Sequence, residues 1–143
     1  MPDRAAGTTT RQMVCHRVAP PSRTERLRSD VRDVLSAAGF DEAITFSFVD
    51  DPEAALWGFE TGVRVDPTAR RTNNLLRPTV LPSLLRACKT NQDVGNMEVS
   101  LYELAAVFRA PAGDGAEDQL PAEHVELGMV THRRLSYLRG VLE

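Results

Sequence analysis

At 143 residues the chain is long enough for one shared core and short for two, and its 42% hydrophobic and 26% charged residues set it apart from disordered or fibrous proteins. A formal charge of -3 and a pI near 5.6 exclude the broad basic surface that non-specific nucleic-acid binding needs. No apolar run could span a bilayer and "MPDRAAGTTTRQMV" lacks the apolar core of a signal peptide, so a cytoplasmic location is expected.

Residues 1–22 are polar, with Thr8, Thr9 and Thr10 in a row and Pro20–Pro21 near the end, and they read as an extended arm or linker. "SRTERLRSDVRDVLSAAG" then sets Leu27, Val31, Val34, Leu35 and Ala38 on one helical face. Ser22 followed three residues later by Glu25 fits a capping box, and Gly39 can take the left-handed conformation that ends a helix. "EAITFSFVD" alternates Ile44, Phe46 and Phe48 against Thr45, Ser47 and Val49, which predicts a strand. Asp51 as N-cap with Pro52 at the first helical position predicts a short helix, and "GVRVD" a short strand.

In "NNLLRPTVLPSLLRACKTN", Pro78 keeps Arg77 out of the α region, while Pro82 is tolerated in a first helical turn because its missing N–H would have no partner there. Thr79 is the expected cap, Leu81, Leu84, Leu85 and Cys88 the expected buried face, and Asn91 the expected C-terminal cap. "EVSLYELAAVF" places Val99, Leu101, Ala105 and Val107 on one side of a strand and Tyr102, Leu104 and Phe108 on the other, as in a sheet covered on both faces. A turn over 111–121 and the strand "HVELGMVT" complete an antiparallel hairpin, and "RRLSYLRGVLE" begins a helix through Leu135, Leu138, Val141 and Leu142.

Neither cysteine fits a CxxC pattern, and His16, His124 and His132 show no metal-ligand spacing, so no metal site or disulfide is expected. Cys88 reads as a small buried thiol, and Cys15 and His16, being sequence neighbours, do not make an activated thiolate. Arg77, extended before Pro78, reads as an anchor that bonds backbone carbonyls, the alternative being an interface or phosphate contact. Glu103, among apolar strand neighbours, reads as a paired, partly buried carboxylate. Arg70–Arg71 and Arg133–Arg134 read as solvated pairs, with a local RNA phosphate contact as the alternative.

The order of helix, Gly-Phe turn, aromatic strand and long strand ending in Phe-Arg resembles the core of a class II aminoacyl-tRNA synthetase. "VRDVLSAAGFDEAITFSF" is similar to that fold's motif 1, and "SLYELAAVFRAP" to the start of motif 2. The motif 1 proline is missing from "ITFSFV", and Pro111 stands where the motif 2 glutamate is expected; Arg109 keeps the arginine that the resemblance sets beside the α-phosphate of ATP. A more specific resemblance covers residues 23–143. "GFDEAITFSFV", "VDPTARR", "LLRPTVLPSLLRACKTN", "LYELAAVF" and "YLRGVLE" are similar, in order, to segments of the synthetase-like core of the bacterial phenylalanyl-tRNA synthetase beta subunit. Asp66 replaces the usual asparagine, and Tyr102, Leu104 and Ala105 replace the Phe, Ile and Gly of "FEIG".

This resemblance implies an α+β domain over 23–143, with a class II-like antiparallel sheet flanked by helices and truncated at its C-terminal side. It implies a catalytically silent core that packs against the catalytic alpha subunit in an (αβ)2 heterotetramer, with tRNA(Phe) reached through the complex. ATP and Mg2+ would be bound by alpha, with no cofactor and no catalytic residue in this segment. Gly39, Phe40, Arg77, Pro82, Leu84, Leu85, Asn91 and Glu103 become structural or interface residues, Glu103 alternatively a relic of motif 2, and Arg109 the one nucleotide-contact candidate. The alternatives are a stand-alone class II paralogue forming an aminoacyl adenylate through Arg109, and a tRNA-binding module.

Overall fold

The computed structural model describes residues 20–59, 62–111 and 120–143. The expected arm, up to residue 19 and including Cys15 and His16, and most of the expected 111–121 turn lie outside the described residues.

Helix α1 (Arg23–Ala37) has the start its sequence predicts: the Ser22 side chain accepts from the Glu25 N–H, and the Glu25 carboxylate accepts from the Ser22 N–H. It stops at Gly39, whose φ of 79° carries the chain out in a left-handed turn. There the Gly39 N–H donates to the Ser36 carbonyl and the Phe40 N–H to that of Leu35, a Schellman motif that brings Phe40 and Leu35 into one buried cluster. Of the predicted face, Leu35 is buried, Val31 and Ala38 are half-buried, and Leu27 and Val34 are exposed.

The strand predicted from "EAITFSFVD" is broken in two. Strand β1 (Asp41–Glu42) pairs in parallel with β4 (Ser100–Arg109), while β2 (Phe48–Val49) pairs antiparallel with β3 (Leu75–Leu76). Between them the backbone bonds to side chains as well as to other strands. Helix α2 (Asp51–Trp57) follows, capped by Asp50 and not by Asp51: the Asp50 carboxylate accepts from the Glu53 N–H at 2.8 Å. "GVRVD" contributes only a bridge from Arg64 to Leu75.

Helix α3 (Leu81–Asp93) begins beside the second proline, as expected; of the two predicted caps Thr79 serves weakly, its hydroxyl accepting from the Leu81 N–H at 3.4 Å, while Asn91 does not end the helix. Val80 occupies the N-cap position and has no side-chain cap bond of its own. The Thr79 hydroxyl and the Val80 N–H also donate to the carboxylate of Glu126, on a distant strand, at 2.5 and 3.0 Å. Asn91 lies inside the helix, and the stop is Gly95 at φ 93°, where the Gly95 and Asn96 N–H groups return to the Gln92 and Asn91 carbonyls. The buried strip is Val80, Pro82 and Leu84; Leu81 and Leu85 stand a step round the helix and are half-exposed, as is Cys88 to a lesser degree.

Strands β4 and β5 (Ala122–Thr131) form the predicted hairpin, in register from Ser100 opposite Thr131 to Arg109 opposite Ala122. The sheet order is β1-β4-β5, so the sheet is mixed where an antiparallel one was expected. Both faces are covered, as the two apolar sides of β4 predict. Tyr102 packs with Leu35 and Phe40, joined by side chains of helix α4 (Leu135–Leu142), whose Tyr137 ring stacks on Phe40 with centroids 6.2 Å apart. On the other face Val107 packs with Val80 and Leu84 of the α3 element. That face needs Gly128: a Cβ there would lie 2.3 Å from a Val80 methyl and 2.8 Å from one of Leu84. A third cluster of Val49, Ala54 and Leu75 closes α2 against β2 and β3.

Candidate functional site

The middle of β4 turns a carboxylate, Glu103, toward the α3 side of the sheet, at a position only 2% exposed. An isolated buried carboxylate is costly, so a partner is required. Arg77 supplies it: Nη1 lies 2.9 Å from Oε1 of Glu103, with both side chains 3% exposed. The arginine also donates from Nε to the Ala106 carbonyl at 3.2 Å and from Nη1 to the Thr45 hydroxyl at 2.8 Å. Its backbone is held too, the N–H donating to the Ser47 carbonyl and the carbonyl accepting from the Phe108 N–H. Arg77 is thus the loop anchor that Pro78 predicts, and Glu103 the paired carboxylate. That each is the other's partner is what the tertiary structure adds.

Thr45 completes the cluster. Its amide donates to Oε1 of Glu103 at 3.1 Å and its hydroxyl to Oε2 at 2.7 Å. These bonds explain why 43–47 is not a strand: the Ala43 N–H reaches the Tyr102 carbonyl, but the next inward amide is taken by a side chain. The alternation read from the sequence survives with its polar side inward. Thr45 faces the ion pair, while Ile44 and Phe46 are 93% and 86% exposed.

Ile44 and Phe46 form one wall of an open cleft of about 400 Å³, whose other walls include Phe48, Arg70 and the Arg86–Ala87–Thr90 face of α3. Arg70 lies 4.1 Å above the Phe48 ring, a cation–π contact, and donates from Nε to the Asn73 carbonyl. Arg86 is bonded to Glu53. The loop leading to Arg70 is braced by Asp66, whose carboxyl is held below its ordinary range chiefly by the Thr68 N–H and next by the Thr68 hydroxyl. On the opposite side of the domain Arg133 lies over the Tyr137 ring.

The predicted site residues therefore separate into groups. Gly39 and Phe40 build the turn after α1, with Phe40 buried among α1 and α4 residues. Pro82 and Leu84 are interior, Leu85 half-exposed, and the Asn91 side chain donates back to the Ala87 carbonyl. Arg109 ends β4 opposite Ala122, exposed and outside the buried cluster. Sequence reading missed Thr45, Glu126 and Gly128 as structural determinants. Their partners lie on other elements, and no local motif marks them. Among the described residues no group of three or more His, Cys, Asp or Glu could hold a metal ion, and no helix is long and apolar enough to cross a membrane.

The chain is 38% identical over 98 residues to the phenylalanine–tRNA ligase beta subunit of Cereibacter sphaeroides, covering 68% of this chain and 12% of that protein. It is 32% identical over 121 residues to that of Geobacter sulfurreducens, covering 80% of this chain and 15% of that protein. The chain thus spans only about an eighth of the length of these curated relatives. A pyrrolysyl tRNA synthetase of Desulfitobacterium hafniense shares the fold with a TM-score of 0.65 at 17% identity, over 84% of this chain and 44% of that one. The family described as the phenylalanyl tRNA synthetase beta chain CLM domain matches residues 9–136, nearly the whole chain, and the protein belongs to that family.

Proposed function

We propose that residues 23–143 act as a non-catalytic, class II-like core of a phenylalanine–tRNA ligase beta subunit, with 1–22 as an arm, and that this core docks on the catalytic alpha subunit in the cytoplasm. ATP and Mg2+ are then handled by alpha, and tRNA(Phe) meets this core only through the complex. The supporting observation is the exposed pair Ile44 and Phe46, the two most exposed large apolar side chains of the motif 1-like segment. Burying such side chains is worth about 1.5–3 kcal/mol each, enough for the pair to act as an energetic centre for association. The half-exposed Leu81 and Leu85 extend the apolar surface of α3, away from its cleft-lining residues.

The test is reconstitution of the purified chain with the alpha subunit of the same organism, followed by calorimetry. Complex formation is expected for the natural chain and its loss for Ile44→Asp with Phe46→Asp; absence of any complex overturns the reading. The adenylate-forming alternative is tested by ATP–pyrophosphate exchange with the chain alone. No amino-acid-dependent exchange is expected, and exchange that disappears in Arg109→Ala would replace the docking reading with a catalytic one.

A further inference from the structure

The sheet ends in β5, and the direction of its backbone groups follows from its pairing with β4. The His132 N–H donates to the Val99 carbonyl, so by the alternation of an antiparallel ladder the even-numbered residues of β5 bond to β4. Glu123, Val125, Leu127, Met129 and Thr131 turn their N–H and C=O groups the other way, where among the described residues no strand pairs with them. Long edge strands are ordinarily guarded by a lysine, a proline or a bulge. The ten residues of β5 include neither residue and run in unbroken register, and the Glu126 carboxylate is already engaged by Thr79 and Val80. On the other face, Leu127 and Met129 share with Leu135, Leu138 and Leu142 of α4 an open apolar cavity of about 670 Å³, and Leu135 and Leu142 are 79% and 64% exposed.

We infer that this edge takes the β5 strand of a second copy of the chain, antiparallel about a two-fold axis at Leu127. An edge of unpaired backbone groups calls for a strand, and the residues of β5 complement themselves. With Leu127 opposite its own copy, Val125 meets Met129 and Glu123 meets Thr131, so all the outward residues of each chain both donate and accept. At the alternate positions Glu126 faces Gly128 and His124 faces Val130, and no two like charges are opposed. An axis at Glu126 would set that carboxylate against its copy, and one at Gly128 would leave Glu123 beyond the end of the partner strand. The Leu127 axis also puts the two α4 helices on the same side of one continuous sheet, where Leu135 and Leu142 leave water. This surface lies at the opposite edge of the sheet from β1 and does not depend on the docking reading above.

Sedimentation equilibrium of the 143-residue chain across about 1–100 µM tests the pairing. A mass approaching twice 15.8 kDa is expected at the upper end. A monomer throughout, which would leave the edge to a strand from another protein, overturns the inference, as does open-ended assembly, since a two-fold pairing consumes both edges. Val125→Pro removes an outward N–H and spares the β4 ladder; it is expected to weaken association at least about tenfold with an unchanged circular dichroism spectrum, and natural association by it overturns the edge. Val125→Lys, at a position already 39% exposed, sets a charge against Met129 of the other copy and serves with the same two outcomes if the proline variant does not fold. Amide exchange needs no variant: the Val125, Leu127 and Met129 amides are expected to slow as concentration rises. A dimer in which they exchange as quickly as in the monomer is joined elsewhere and sinks the proposal.

Discussion

Replacing Glu103 with glutamine removes one charge from a pair whose side chains are each 3% exposed. Charges about 4 Å apart attract by about 4 kcal/mol at an effective dielectric near 20. Desolvation of each ion costs several kcal/mol, so the intact pair contributes little net stability. Deleting one member is different, because the other remains buried without its counter-charge, at a cost of about 3–5 kcal/mol. Glutamine still offers an oxygen to Thr45 and Arg77, which places Glu103→Gln near the lower end, about 3 kcal/mol. In equilibrium urea denaturation of the 143-residue chain, that loss moves the midpoint down by about 1–3 M. The double variant Arg77→Met with Glu103→Leu is expected to cost at least about 2 kcal/mol less than the sum of its single changes. A cost for Glu103→Gln below about 1 kcal/mol, or simple additivity in the double variant, would refute the reasoning.

Gly128→Ala is expected to destabilise by about 1–3 kcal/mol in the same assay, because the new Cβ meets Val80 and Leu84, neither of which is exposed at all. Glu126→Ala removes the acceptor shared by the Thr79 hydroxyl and the Val80 N–H, and a loss of about 1–2 kcal/mol is expected from denaturation curves. Gly39→Ala, at φ 79°, is expected to lower stability by about 1–2 kcal/mol through backbone strain. The Glu25 carboxyl is held below its ordinary value of 4.5, first by the Ser22 N–H and then by the Ser22 side chain. Its contribution is therefore present in full above that value and is lost as pH falls through the lower value in the folded chain. NMR titration should find Glu25 ionising below 4.5, and Glu25→Gln should flatten this part of the acid limb of stability.

Where start, stop and periodicity lie within a few residues of one another, they were readable in the chain itself. Ser22, Glu25 and Gly39 bound α1 as predicted, and the two apolar sides of β4 announced a sheet covered on both faces. Periodicity identifies an apolar stripe but not what covers it, and so Leu27, Val34, Leu81 and Leu85 are more exposed than their positions suggested. Arg77 and Glu103 each had the right character in the sequence, one an anchor and the other a paired acid. They are 26 residues apart, so only the packing of β4 beside the loop before α3 makes them partners.

The same distinction explains the two sharpest corrections. Thr79 has the chemistry of a cap and accepts from the Leu81 N–H at 3.4 Å, but its shorter bond is the one its hydroxyl donates to Glu126, 47 residues away, which no local pattern announces. Residues 44–49 alternate like one strand, yet the chain leaves β4 after Glu42, and the Glu103 carboxylate takes the Thr45 amide. Helix boundaries and side-chain alternation are local properties of a few consecutive residues. Pairing partners, burial of charge and the outward face of Ile44 and Phe46 depend on which distant groups meet, and only tertiary packing decides that.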